Sequence, residues 1–187
     1  MIKRFDIESL KRRLNPTSSI EGSKSNLPDA AVAIIISIRR DSDSVLLIRR
    51  RDRLGDPWSG QIAFPGGHRS LNDPTLLDTA VREASEEVGI ELSRHTALGV
   101  LLPMYSQTRR ILVAPFVFQL ISDVAVRMND EVAETFWASL QELSTIRSTR
   151  SEVHVETGTL DADSYVLDGR VIWGLTFRII RNLLNRS

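Results

Sequence analysis

Residues 74–89 read PTLLDTAVREASEEVG, and the fold turns on how this stretch is read. Leu76, Ala80, Ala84 and Val88 recur every four residues, with Leu77 and Val81 beside them. At about 100° per residue these positions form one apolar face of a helix. Pro74 suits a first helical position and Gly89 a stop, so the spacing predicts a helix from about Pro74 to Val88. A helix with a single apolar face must bury it against another element.

The acids of this helix sit badly for stability alone. Glu83 and Glu87 are four residues apart and Glu86 is three from Glu83, so the three carboxylates converge. Glu87 projects at an angle between those of Leu76 and Ala80, at the margin of the apolar face. All three lie in the last turns, where the helix dipole is negative and each acid costs about 0.3–1 kcal/mol. Arg82 pairs with Glu86 at i,i+4, but one arginine cannot neutralise three carboxylates. A divalent cation among the oxygens makes the arrangement favourable, and hard carboxylate ligands suit Mg²⁺ or Mn²⁺.

Upstream of the helix, Phe64-Pro65-Gly66-Gly67 offers backbone that a phosphate can approach closely. It ends a long irregular stretch, Arg50 to Gly67, of the kind that is usually functional in a compact domain. Before it, Ala30–Ile38 and Ser44–Arg49 read as two strands of a hairpin. A short helix is expected at 5–14 and a turn-rich loop at 15–29. Downstream, strands are expected at Ala97–Met104 and Ile111–Leu120, and a turn or short helix within Phe136–Leu143. A hairpin from Val153–Thr157 and Tyr165–Leu167 follows, then a last helix entered at Asp168-Gly169. Helices flanking a mixed sheet are the architecture that this order implies.

Composition excludes much else. The 187 residues, 42% hydrophobic and 26% charged, fit one globular domain and no disordered, collagen-like or coiled-coil class. No cysteine is present, which removes disulfides, zinc–cysteine sites and thiol nucleophiles. Three scattered histidines, His68, His95 and His154, do not suggest a histidine-built metal site. The 24 basic and 24 acidic residues cancel, which argues against nucleic acid as a partner. No apolar run is long enough for a membrane span, and the charged N-terminus lacks the core of a secretory signal, so a cytoplasmic protein is expected.

Gly67 together with Arg82-Glu83-Ala84-Ser85-Glu86-Glu87-Val88-Gly89-Ile90 resembles the Nudix hydrolase box, G-x5-E-x7-R-E-U-x-E-E-x-G-U with U apolar. The second half matches position for position. The first half departs: fourteen residues separate Gly67 from Arg82, where the box has thirteen. Asp73 then stands nearest the first acid, either as a partner for Arg82 or as a helix N-cap. A one-residue insertion of this kind is similar to the coenzyme A pyrophosphatase branch. That branch also has an upstream signature, L-L-T-x-R-[SA]-x3-R-x3-G-x3-F-P-G-G. Leu46-Leu47-Ile48-Arg49-Arg50 resembles its start and Gly60–Gly67 its end. In the middle Arg51 replaces the small residue, one residue is added, and the second arginine is displaced toward Arg53. Gly169-Arg170-Val171-Ile172-Trp173-Gly174-Leu175-Thr176 also looks like that branch.

The resemblance implies an α/β fold, a Nudix-type α/β/α sandwich with a mixed β-sheet between helices. It implies a single domain over 1–187, with an N-terminal helix and loop at 1–29 and the box at 67–90. It further implies a metal-dependent diphosphatase whose Glu83 and Glu87 bind Mg²⁺ or Mn²⁺ with help from Glu86. Arg82 would hold these glutamates, and Gly66 and Gly67 would shape the loop against metal and phosphates. Coenzyme A or an acyl derivative is the expected substrate, cleaved to 3′,5′-adenosine bisphosphate and 4′-phosphopantetheine. ADP-ribose or another nucleoside diphosphate derivative is the alternative within the class, and a non-catalytic nucleotide- or RNA-binding module the alternative outside it. Arg50 and Arg53, in the cluster of Arg49, Arg50, Arg51 and Arg53, are candidate phosphate ligands. Trp58 either stacks on adenine or plugs the core edge. Glu131 and Glu134 are candidate additional acids or ordinary turn acids. No nucleic-acid or membrane partner is expected, and a homodimer is left open.

Overall fold

The computed structural model describes residues 5–20, 28–39, 43–53, 59–92, 96–107, 110–120, 122–155 and 158–185. Trp58 and much of the loop between Asn15 and Asp29 lie outside these residues. The chain runs α1 (Ile7–Arg13), β1 (Ala30–Ile38), β2 (Asp43–Arg50), β3 (Ile62–Ala63), β4 (Gly66–His68) and α2 (Leu76–Val88). It continues β5 (Thr96–Val100), β6 (Met104–Ser106), β7 (Ile111–Leu120), β8 (Val132–Ser139) and α3 (Leu140–Thr145). It ends with β9 (Thr149–Val155), β10 (Gly158–Leu167), β11 (Arg170–Trp173) and α4 (Gly174–Leu183).

Strands β1–β8 form one sheet around the path β3-β2-β1-β7-β5, and β9–β11 form a second, antiparallel one. The β1–β7 pairing is parallel and the others are antiparallel, so the larger sheet is mixed as expected. One edge of β1 forks. Its C-terminal end pairs with β2 (Ile36↔Val45), whereas its start pairs with β4 (Ala31↔Gly67). The glycine loop enters this fork, and the Ala33 N–H donates to the Pro65 carbonyl at 2.8 Å.

Strand alternation divides the core. Ala31, Ala33 and Ile35 face α2 together with Leu46, Ile48, Phe116 and Phe118, against Leu76, Ala80, Ala84 and Val88. Ile34, Ile36, Val45, Leu47 and Val117 face the other way, onto Leu10 of α1, Leu140 of α3 and Ile180 and Leu183 of α4. The sheet therefore lies between two helical layers. Among the described residues no helix is long and apolar enough to cross a membrane.

Several boundaries depart from the sequence reading. The helix starts at Leu76 rather than Pro74, because Thr75 and Asp78 close a capping box. Asp73 is therefore not the N-cap. The strand expected at Ala97–Met104 divides into β5 and β6, both laid on β7. The short helix expected within Phe136–Leu143 is α3, which begins only at Leu140, because Phe136–Ser139 is the end of β8, drawn into extended form by pairing with β2 (Leu47↔Phe136). Strand β11 intervenes before the last helix, so Ile172 is a strand residue opposite Tyr165.

Candidate active site

The site forms where the C-terminal half of α2 passes under the forked edge of β1. Gly89 ends α2 in the left-handed region (φ 66°), and its N–H returns to the Ala84 and Ser85 carbonyls. Glu87 is only 2% exposed. Its Oε2 accepts from the Gly66 N–H at 2.9 Å, and Oε1 stands 3.9 Å from Arg50 Nη1. Burial pushes its carboxyl up to about 7; the charges of Glu83 and Glu131 add to this, while the Gly66 N–H and Arg50 oppose it.

Glu83 is raised as well, first by burial, against the pull of Arg82. Its carboxylate fills the space above Gly67, where a Cβ would meet Oε1 at 2.4 Å. A Cβ on Gly66 would meet the Ala31 carbonyl at 2.4 Å. Close approach to a neighbouring strand requires glycine at 66, whereas a Cβ at 67 would meet only the movable Glu83 carboxylate. Glu86 is the exposed member, its side chain 55% accessible.

Arg82 organises the acids. Nη1 lies 2.8 Å from Glu83 and 2.9 Å from Glu86, and Nη2 donates to the His68 carbonyl at 3.1 Å. Its other edge grips Asp73, which is 7% exposed and also accepts from the Ser70 N–H and the Thr79 hydroxyl. The Arg82 hydrogen bonds hold the Asp73 carboxyl down at about 2. Of the two readings of Asp73, pairing with Arg82 is the one observed.

Among the described residues no three Asp, Glu or His side chains are gathered into a preformed metal cage. The donor chemistry nevertheless suits a hard cation. Buried Glu87 and half-buried Glu83, one turn apart on α2, are both held toward their protonated forms, and an added divalent charge offsets that cost.

The arginines of the upstream cluster separate. Arg50 lines a cleft with Gly66 and Gly67, while Arg49 Nε turns to Glu134 at 3.2 Å. Arg51 and Arg53 bind the turn at 130–132. Glu134 also takes Arg170, with Nε at 3.1 Å, and these partners hold its carboxyl below the usual range. Glu134 is thus spent on an ion-pair cluster away from α2, whereas the charge of Glu131 bears on Glu83 and Glu87.

The remaining cleft wall includes Val32, Gln61, Ser106, Val113, Trp173 and Leu175. Thr176 Oγ1 donates to the Ile62 carbonyl at 3.0 Å, which fixes the start of α4 against the glycine loop. Ser106 and Val113 carry no signal in the sequence. Trp173–Thr176 carries one, as the branch-like ending, but nothing local says that it meets residues 60–67.

Comparison with known proteins bears on family and fold. Residues 28–162 match the model of the NUDIX domain. Over 155 residues the chain is 38% identical to an uncharacterized Nudix hydrolase, NudL, of Yersinia pestis (strain Pestoides F). It is equally similar to NudL of Yersinia pseudotuberculosis serotype O:1b (strain IP 31758); each match covers 82% of this chain and 77% of the relative. Among solved structures, a MutT/nudix family protein from Enterococcus faecalis aligns with TM-score 0.54 and 16% identity, over 98% of this chain and 74% of that one. A C. elegans Ap4A hydrolase aligns with TM-score 0.50 and 18% identity, over 60% of this chain and 80% of that one. These last likenesses are of fold. The chain belongs to the Nudix hydrolase family.

Proposed function

We propose that this protein is a divalent-cation-dependent diphosphatase of coenzyme A or its acyl derivatives, releasing 3′,5′-adenosine bisphosphate and (acyl-)4′-phosphopantetheine. One juxtaposition carries the reading. Arg50, the segment from Gln61 to Gly67 and the segment from Trp173 to Thr176 line one cleft, and Arg50 and Gly66 both touch Glu87 at its edge. These are the three parts of the chain that resemble the coenzyme A branch.

Bound Mg²⁺ or Mn²⁺ supplies neutralisation of phosphate charge and a more acidic water. The chain supplies the rest. Glu83 and Glu87 hold the cation, with exposed Glu86 beside them. Arg82 fixes Glu83 and Glu86, and is itself fixed by Asp73. Gly66 and Gly67 leave the backbone bare where a diphosphate approaches. Arg50, its side chain 20% exposed, is the guanidinium placed to meet a phosphate oxygen.

One observation favours the rival substrate, ADP-ribose or another nucleoside diphosphate derivative. Arg51 and Arg53 are engaged with the turn at 130–132 and do not line the cleft. Side-by-side turnover of coenzyme A and ADP-ribose with Mg²⁺, products read by mass spectrometry, separates the two. 4′-Phosphopantetheine from coenzyme A is expected. Faster release of AMP and ribose 5-phosphate from ADP-ribose would transfer the assignment.

A further inference from the structure

The cleft beside Glu87 does not end at Trp173. Ser106, Trp173, Gly174 and Leu175 line it and also line a second groove, which runs between β10 and α4. Leu160 and Ala162 of β10 and Phe177 of α4 supply further apolar wall. From Gly158 to Asp163, β10 has β9 on one edge and no strand on the other among the described residues. Leu160 is 40% exposed there, a large apolar side chain left on an arm of the fold.

The charges around the groove cancel. Arg178 and Arg181 stand against Asp161 and Asp163. Three of the four are already engaged. Arg178 Nη2 donates to the Tyr105 carbonyl, the Arg181 guanidinium lies 5.6 Å over the Phe177 ring, and Asp163 is 3.5 Å from Arg150 Nη1. A balanced groove of this kind does not draw in a phosphate. It suits an uncharged chain of methylenes and amides, whose polar groups find partners at the rim. Its α4 wall, from Trp173 to Arg181, also lies beyond residues 28–162, which match the NUDIX domain. Contacts made there are additional to that shared domain.

We propose that this groove holds the pantetheine chain of coenzyme A. The diphosphate stands at Gly66 and Gly67, the chain passes Ser106 and Trp173, and Leu160 and Ala162 select substrates by touching it. The proposal rests on the coenzyme A reading of the site and adds where the two halves of that substrate part.

Kinetics of the full chain with Mg²⁺ test this, with coenzyme A as substrate and ADP-ribose as substrate or competitive inhibitor. Both molecules carry adenosine and a diphosphate, and only coenzyme A carries the chain. Leu160→Glu puts a charge in the chain's path and is expected to raise KM for coenzyme A about tenfold, the worth of one apolar contact in a pocket. Its kcat should stay within about twofold, because the lost contact is made in ground and transition state alike. Ala162→Phe narrows the groove without adding charge and should act in the same way, which keeps the test open if the first variant melts early. The KM or inhibition constant of ADP-ribose should stay within about twofold for both variants. Val166→Glu, at a position 43% exposed on β10 and no part of the groove, is the control and should change neither ligand. Equal losses for coenzyme A and ADP-ribose would put the shared adenosine half in the groove and overturn the proposal. So would an unchanged KM for coenzyme A in both variants, a result that leaves the coenzyme A reading intact. Absence of coenzyme A turnover in wild type would overturn that reading itself, and the assignment of the groove with it.

Discussion

Arg82 grips Asp73 across nine residues, Nε donating to Oδ1 at 3.0 Å and Oδ2 at 3.3 Å and Nη2 to Oδ2 at 3.0 Å. The extra residue between Gly67 and Arg82 does not break this contact. A turn closed by the Asp73 N–H on the Ser70 carbonyl pushes Leu71 fully into solvent and brings Asp73 back under Arg82. The insertion is absorbed at the surface, and the spacing that matters is restored in space.

This pair predicts an acid-dependent stability term. The Asp73 carboxyl is held at about 2 against its usual 3.8, so the folded state favours the ionised form. Its contribution, on the order of 2 kcal/mol, is complete above about pH 5 and is lost as pH falls through about 2. Urea unfolding of wild type and Asp73→Asn should show a gap at pH 6 that shrinks steadily below pH 4 and is largely lost only below about pH 2. A gap that does not change with pH would mean that the charge of Asp73 is immaterial.

For Glu87 the sign is opposite. With its carboxyl raised to about 7, the folded protein binds a proton that the unfolded chain has lost. In metal-free protein its contribution is therefore most favourable below about pH 4.5 and is lost as pH rises through 7. Glu87→Gln, which can still accept from the Gly66 N–H, should be at least as stable as wild type in EDTA at pH 8, by on the order of 2 kcal/mol. Mg²⁺ is expected to stabilise wild type, and Glu87→Gln should lose that stabilisation. Paired thermal melts at pH 5 and 8 check both halves; equal metal stabilisation of the two proteins would remove Glu87 as a ligand.

Turnover should rank the residues of α2. Glu83→Gln and Glu87→Gln are expected to abolish nearly all activity, since the charge developing on the phosphates is left uncovered. Arg82→Ala, which only frees the proposed cation ligands to wander, should cost about 10–100-fold. Ser85, whose hydroxyl donates to Glu91 at 3.0 Å, is the control, and Ser85→Ala should turn over like wild type. Steady-state rates at saturating Mg²⁺ measure the series.

Gly67→Ala isolates geometry from charge. The new methyl would press on the Glu83 carboxylate, the soft end of a side chain, so the fold should survive with little change in melting temperature. Turnover should fall roughly as far as for Arg82→Ala, about 10–100-fold, because a proposed cation ligand is displaced. Wild-type rates would show that the position of Glu83 is not critical.

A fifth test concerns Glu134. Its carboxylate joins Arg49 of β2 to Arg170 of β11, and the Arg170 guanidinium lies 4.4 Å over the Phe136 ring. Glu134→Gln should lower stability by roughly 1 kcal/mol and leave turnover within about twofold. A collapse of activity in a folded Glu134→Gln protein would reinstate it as a site acid.

The α2 segment was legible because helical periodicity is local: residues 76–88 alone define an apolar face, and the same wheel shows acids crowding its margin at the wrong end of the dipole. The two strands of Ala30–Ile38 and Ser44–Arg49 were legible for a similar reason, as dense β-branched and apolar runs across a short turn. The arginine cluster was not. Arg49, Arg50, Arg51 and Arg53 look equivalent in one dimension, and a shift of register between Arg49 and Arg50 in the pairing with β8 sends one to Glu134 and the next to Glu87. Nor could spacing decide between Glu131 and Glu134, which differ by three positions but face opposite neighbours once β8 pairs with β2. Strand partners, bulges and the meeting of Trp173–Thr176 with the glycine loop depend on contacts between residues far apart in the chain. Local propensity carries no record of such contacts, so only tertiary packing could choose among them.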